Sequence, residues 1–136
     1  MLARWPLTLD AAAEKDCHLV DDWLGLDHPD PARRDALAFD HWGLVPGYDG
    51  GVVWLNPPYR PRTTMSAFAA KAAATGAAGV PVVGLVPVSP DAAWWRDNIT
   101  GTGAAVELLD RRLRFDGPHS RGYQAPWPCA LIVWGR

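Results

Sequence analysis

The sequence predicts an α/β protein, a β-sheet layered with helices. Three observations carry that reading. Short apolar runs rich in β-branched residues recur at Val52-Val-Trp-Leu55, 80–88 and 130–134, each bounded by Gly or Pro. An Ala-rich stretch with helical spacing, 63–75, separates the first two. Strand and helix signals alternate along the chain, the pattern of a sheet with helices packed on it.

Each element has its own local grounds. Residues 6–10 read as a strand ending on the carboxylate of Asp10, and 11–15 as the opening of a short helix or turn. Residues 18–21, His-Leu-Val-Asp, fit a second short strand, and the polar, Pro-rich residues 26–35 read as loop. Val52-Val-Trp-Leu55, between Gly50-Gly51 and Asn56-Pro57-Pro58, is the clearest buried strand. In 63–75, Met65, Phe68 and Ala72 share one helical face, and Gly76 stands at the expected stop. Residues 80–88 read as a buried strand with prolines near its ends. Ser89-Pro90-Asp91 before Ala-Ala-Trp-Trp is a helix start: Ser as N-cap, Pro at the first helical position, Asp in the first turn. Adjacent helical residues diverge, so Trp94-Trp95 is expected to hold one buried and one partly exposed ring. Residues 105–109 and 130–134 supply two more strands.

Composition narrows the function classes. A chain of 136 residues, 49% apolar and 21% charged, is read as one domain spanning 1–136, with material for a real core and no room for a separate target-recognition domain. Eight Trp argue against a disordered chain. The longest mostly apolar stretch, 77–88, is too short to span a bilayer and carries Pro81 and Pro87, and the amino terminus lacks a signal-peptide core. Cys17 and Cys129 allow one bridge at most, so the expected location is the reduced cytoplasm, with no membrane partner. A net charge of −2 excludes an indiscriminately basic nucleic-acid binder. The eleven Arg against two Lys nevertheless cluster, at Arg60 and Arg62 and at Arg111, Arg112 and Arg114. The planar guanidinium fork suits phosphate. The four histidines stand at no metal-ligand spacing from the cysteines, so no metal is expected.

The strongest motif is Asn56-Pro57-Pro58-Tyr59, directly after the 52–55 strand. Two prolines fix φ and present Asn56 from a strand end with little freedom. The Asn56 amide oxygen and the Pro57 carbonyl can accept the two N–H bonds of an exocyclic amine, while the Tyr59 ring stacks on its plane. Average residue usage makes a chance occurrence in this length roughly one in a few thousand, and the Pro-rich composition raises that to roughly one in several hundred.

This tetrapeptide after an apolar strand resembles the catalytic signature of S-adenosylmethionine-dependent amino-methyltransferases. More of the chain resembles the phage-type DNA N6-adenine methyltransferase family: Leu9-Asp10-Ala11-Ala12-Ala13, then Asp35-Ala36-Leu37 with Asp40 and Trp42, then 87–96, Arg112-Leu-Arg-Phe115 and 125–134, in that order. The resemblance implies a doubly wound, Rossmann-like methyltransferase sheet with helices on both faces. Its amino-terminal helix is reduced here, because only Met1 to Trp5 precede the first strand. It implies S-adenosylmethionine as cofactor, with Asp10 and Ala11 beside the methionine moiety, Asp21 or Asp22 at the ribose hydroxyls (Asp22 being preferred) and Asp35 at the adenine amine. The reaction implied is methyl transfer to the N6 amine of adenine in DNA, the base being flipped out or single-stranded.

Asn56, Pro57, Pro58 and Tyr59 would carry the catalysis. Arg60, Arg62, Arg112 and Arg114 are the candidate nucleic-acid contacts, and 116–124 reads as a loop near the pocket. A homodimer completing the site is a further expected partner. The second reading is a truncated, catalytically weak nucleic-acid-binding or assembly module with the same fold.

Overall fold

The computed structural model describes residues 4–109 and 128–135. Five strands, β1 (Leu7–Asp10), β2 (Val52–Leu55), β3 (Val82–Pro87), β4 (Ala105–Leu108) and β5 (Cys129–Trp134), form one mixed sheet in the order β1-β2-β3-β5-β4. β1, β2 and β3 are mutually parallel. β5 enters antiparallel between β3 and β4. All residues of β2 and β5 are buried. That explains their continuous apolar sequences, since both sides of such strands face core.

The side chains of these strands alternate between two apolar clusters. On one face Val53, Leu55, Val82, Val86, Ala130, Ile132 and Trp134 pack under α1 (Arg62–Ala77) and α2 (Ala93–Asn98). On the other, Val52, Trp54, Val83, Leu85, Cys129, Leu131 and Val133 gather with Trp5, Leu7 and Leu109. Among the described residues the expected pair of helical layers is therefore seen on one face only, where α1 and α2 also contact each other.

α1 forms where the sequence predicts it and presents Met65, Phe68, Ala69, Ala72 and Thr75 as one buried stripe. Its end differs from expectation. The helix continues past Gly76, and the reversal falls at Gly79 with φ 91°. Gly76 serves packing instead, because a Cβ there would lie 2.7 Å from the Trp134 Cβ. Trp134 also ties α2 to the sheet, its indole N–H donating to the Asn98 carbonyl at 2.6 Å.

Of the short helix or turn expected at 11–15, the turn is what forms: Ala11 N–H donates to the Trp54 carbonyl and Ala13 N–H to that of Leu24, ahead of a turn closed by Glu14 and Cys17. Three further expectations are corrected. Residues 18–21 form no strand, because the Leu19 N–H goes to the Asp10 carboxylate at 2.8 Å and not to a ladder. Ladder pairing beside β1 is reduced to one parallel bridge between Asp10 and Trp23. α2 begins at Ala93, not at the Ser89 cap, because the Ser89 carbonyl accepts from Ala92 N–H in a separate turn. Both Trp94 and Trp95 are buried, packed edge to face at 5.8 Å between centroids.

A short helical turn, Ala36–Ala38, and a second, Trp42–Leu44, link β1 to β2 on the helical face. Trp42, fully buried, anchors them: its indole N–H donates to the Ala36 carbonyl and its backbone N–H to Thr75 Oγ1, both near 3 Å. The Thr75 hydroxyl in turn donates to the Lys71 carbonyl at 2.8 Å. Thr75→Val would leave the Trp42 N–H buried without an acceptor and is expected to cost about 1–3 kcal/mol. Urea denaturation should show Thr75→Ser, which keeps the hydroxyl, losing less; a Thr75→Val midpoint equal to that of the parent would contradict this.

Candidate functional site

β1 has neighbours on both sides. The 22–24 segment, which follows it in the chain, bridges one edge, and β2 pairs with the other. The strand order therefore reverses between β1 and β2, and such a switch point leaves a crevice at the carboxyl ends of the strands. An open cleft of about 1350 Å³ occupies that place. Its walls are Ala11–Glu14 after β1, Asn56–Arg60 after β2, Asp35–Leu37 from the linking turn, and Thr64 and Phe68 from α1. Pockets for a single small ligand commonly run to roughly 300–1,000 Å³. This cleft is larger, and has room for a second ligand group.

The Asn-Pro-Pro-Tyr segment follows β2 directly as irregular chain. Asn56 is half-buried, Pro57 buried and Pro58 exposed, and all four residues line the cleft. The Tyr59 side chain reaches back to β3. Its hydroxyl donates to the Leu85 carbonyl at 3.1 Å, lies 3.4 Å from Asn56 Oδ1, and hydrogen-bonds the buried Cys129 thiol. Burial, with Cys129 beside it, pushes the Tyr59 phenol far above its ordinary value, so it stays protonated.

The expected cofactor residues divide. Ala11 lies in the cleft wall, fully buried. Asp35 caps the 36–38 turn, Oδ1 accepting from Leu37 N–H at 3.0 Å, and also lines the cleft. Asp10 does not line it. Only 4% exposed, its carboxylate accepts from Leu19 N–H and Ala12 N–H and ties down the loop that forms the wall. Asp22 is ion-paired with Arg33 away from the cleft, and Asp21 is exposed outside it. Among the nucleic-acid candidates, Arg60 lines the cleft, whereas Arg62 opens α1 as an exposed residue outside it. Arg111, Arg112, Arg114 and the loop 116–124 lie outside the described residues.

Three charged cleft residues escape a sequence reading: Glu14, Asp27 and Arg34. Glu14 arrives through the tight Glu14–Cys17 turn. Asp27 arrives because both its oxygens accept from Lys15 N–H, at 3.0 and 3.1 Å. The two chain segments close on each other at Gly25, where a Cβ would stand 2.1 Å from the Ala13 carbonyl oxygen. The one signal in the sequence was Gly25 itself, set between Leu24 and Leu26. At the rim Leu26 is 87% exposed, an apolar group offered to the opening. Among the described residues no three His, Cys, Asp or Glu gather as a metal site requires.

No protein-family model matches the chain, and no curated protein shows significant similarity to it. The cleft therefore rests on its own geometry.

Burial raises the Asp10 carboxyl above its usual 3.8, partly offset by its two backbone hydrogen bonds and by His18. The folded state thus holds this proton more tightly than the unfolded chain, so stability falls as pH rises from about 3.8 through the raised value. Asp10→Asn removes that titration. The stability of the variant relative to the parent is expected to improve as pH rises through the same window and then level off. A difference constant from pH 3 to pH 7, measured by denaturant titration, would contradict the assignment.

Proposed function

We propose that this chain is an S-adenosylmethionine-dependent methyltransferase acting on the N6 amine of adenine in DNA. The carrying observation is that the Asn56-Pro57-Pro58-Tyr59 segment forms one wall of the cleft at the strand-order reversal, beside the exit of β1. A Rossmann-like methyltransferase sheet with its cofactor across the strand ends accounts for the parallel β1-β2-β3 block and for the place of the cleft.

The residues present fit such a cofactor. Ala11, Ala12 and Ala13 offer a wall of small side chains along which a ligand can lie close to backbone. Asp35 Oδ2 has no partner among the described residues and suits the cofactor's adenine amine. Glu14 and Asp27 place negative charge where a sulfonium or ammonium gains from it. They line the cleft, whereas Asp10 and Asp22, first expected there, do not. When bound, S-adenosylmethionine supplies an electrophilic methyl group.

The chain's own residues then position the acceptor. An exocyclic adenine amine is conjugated and weakly nucleophilic. Hydrogen bonds to Asn56 Oδ1 and the Pro57 carbonyl hold it with its lone pair turned into the cleft, and the Tyr59 ring covers the face of the base. Both acceptors sit on a Pro-stiffened segment, so little reorganisation is needed as charge develops on the amine. In a duplex the base must leave the stack to arrive there, and Arg60 at the rim meets a flanking phosphate. No described helix is long and apolar enough to cross a membrane.

The competing reading, a nucleic-acid-binding or assembly module of the same fold, draws on the internal engagement of Asp10 and Asp22. Incubation with methyl-labelled cofactor and DNA, followed by nucleoside analysis, separates the two. The expected product is N6-methyladenine, and its absence with bound DNA would favour the module. Asn56→Ala is expected to lower methyl transfer by at least about 100-fold, given the role of electrostatic positioning, with cofactor affinity within about threefold of the parent. Undiminished transfer by that variant would overturn the site.

A further inference from the structure

Two arginines stand side by side in the loop before the Asp35 turn, and the fold neutralises only one of them. Arg33 is ion-paired with Asp22 and also donates to the Pro46 carbonyl. Arg34 lines the cleft as an exposed residue and has no carboxylate partner among the described residues, although Asp27 and Asp35 line the same cleft. Backbone holds its guanidinium instead: Nε donates to the His28 carbonyl at 2.7 Å and Nη2 to the Pro29 carbonyl at 3.3 Å. The loop that supplies those carbonyls is itself closed at its neck, where Gly25 N–H donates to the Arg33 carbonyl at 3.0 Å. The donors of one guanidinium edge are thus spent, and both Nη1 protons and the second Nη2 proton remain. They form the end-on fork, which matches two oxygens of one oxyanion. Neutral carbonyls leave the charge intact while fixing its plane before a ligand arrives.

We infer that Arg34 is a phosphate-binding residue at the rim of the cleft, its end-on fork taking two oxygens of a backbone phosphodiester next to the target adenosine. The inference rests on the DNA-methylation reading and deepens it by naming a strand contact. A phosphodiester fits better than the methyl donor's carboxylate for two reasons. Arg34 is exposed at the opening, where a polymer strand passes. The donor's adenine is assigned to Asp35, the next residue in the chain, which leaves its carboxylate at the other end of the donor, along Ala11–Glu14. Arg60 comes from a different segment of the lining. A nucleotide within a strand has one phosphate on its 5′ side and one on its 3′ side, so each arginine takes one of them. Such contacts fix the register of the strand without reading its sequence.

Anisotropy of a fluorescent oligonucleotide bound to the full chain, followed over a range of salt, tests this without turnover. Arg34→Gln removes the charge and is expected to raise the Kd for DNA about 5- to 10-fold at low salt. The slope of log Kd against log salt is expected to fall by about 0.9 for a duplex, or about 0.7 for a single strand. Arg34→Lys keeps the charge without the planar fork, and is expected to restore the slope but only part of the affinity. Both variants are expected to bind S-adenosylmethionine as the parent does. Unchanged DNA affinity and slope in Arg34→Gln would overturn the assignment. So would a loss confined to S-adenosylmethionine, which would put the donor's carboxylate on the fork. If Arg34→Gln lowers the urea midpoint, Arg34→Lys decides: DNA affinity equal to that of the parent would deny the fork its role. A parent that binds no DNA at low salt would refute the functional reading and the inference together, whereas a parent that binds DNA with Arg34 dispensable would refute the inference alone.

Discussion

The parallel pairing of β1 with β2, carried one residue past its formal end, is the constraint on which the site depends. Asp10 pairs with Trp54, and Ala11 N–H then donates to the Trp54 carbonyl at 2.9 Å. That hydrogen bond delivers the two strand exits side by side, one leading into Ala11–Glu14 and the other into Asn56–Arg60. With Trp54 and Val53 buried on opposite faces, a slip of one residue would exchange the two clusters. The register and the width of the cleft are therefore held by the same core.

Around that pair the chain uses its polar groups to shape a wall. Asp10 gives its carboxylate to the loop backbone, Asp22 pairs with Arg33, and Trp42 hangs the Asp35–Leu37 segment from α1 through Thr75. The acidic residues that remain at the cleft, Glu14, Asp27 and Asp35, sit on the turns so formed. Arg34 and Arg60 share that opening. The cleft thus presents both signs of charge even though the chain as a whole is near neutral. Its apolar walls give those charges more reach than they would have on an open surface.

Much of this was legible in the sequence, for identifiable reasons. β2, β3 and β5 are buried on both faces and so read as unbroken apolar runs, and α1 shows its stripe through Met65, Phe68 and Ala72. Asn56-Pro57-Pro58-Tyr59 was legible because its geometry is local: proline stiffness and a strand end. The misreadings all involve partners distant in sequence or competing local bonds. Leu19 looked like strand until Asp10 took its N–H, and Ser89 looked like a cap until its own carbonyl closed a turn with Ala92. Asp10 looked like a ligand residue because a carboxylate at a strand end gives no sign of whether its acceptors will be used internally. Glu14 and Asp27 were missed because only a closed loop brings them to the rim.

The central claim is that one cleft, between the exits of β1 and β2, accepts the methyl donor beside Asn56. Amide chemical-shift mapping during titration with S-adenosylmethionine tests it most directly, because it requires no turnover. Saturable shifts are expected at Ala11–Glu14, Asp35–Leu37 and Asn56, Tyr59 and Arg60, with β4 unaffected, since that strand stands at the far edge of the sheet. No shifts at millimolar cofactor, or shifts confined to residues outside that cleft, would contradict the account.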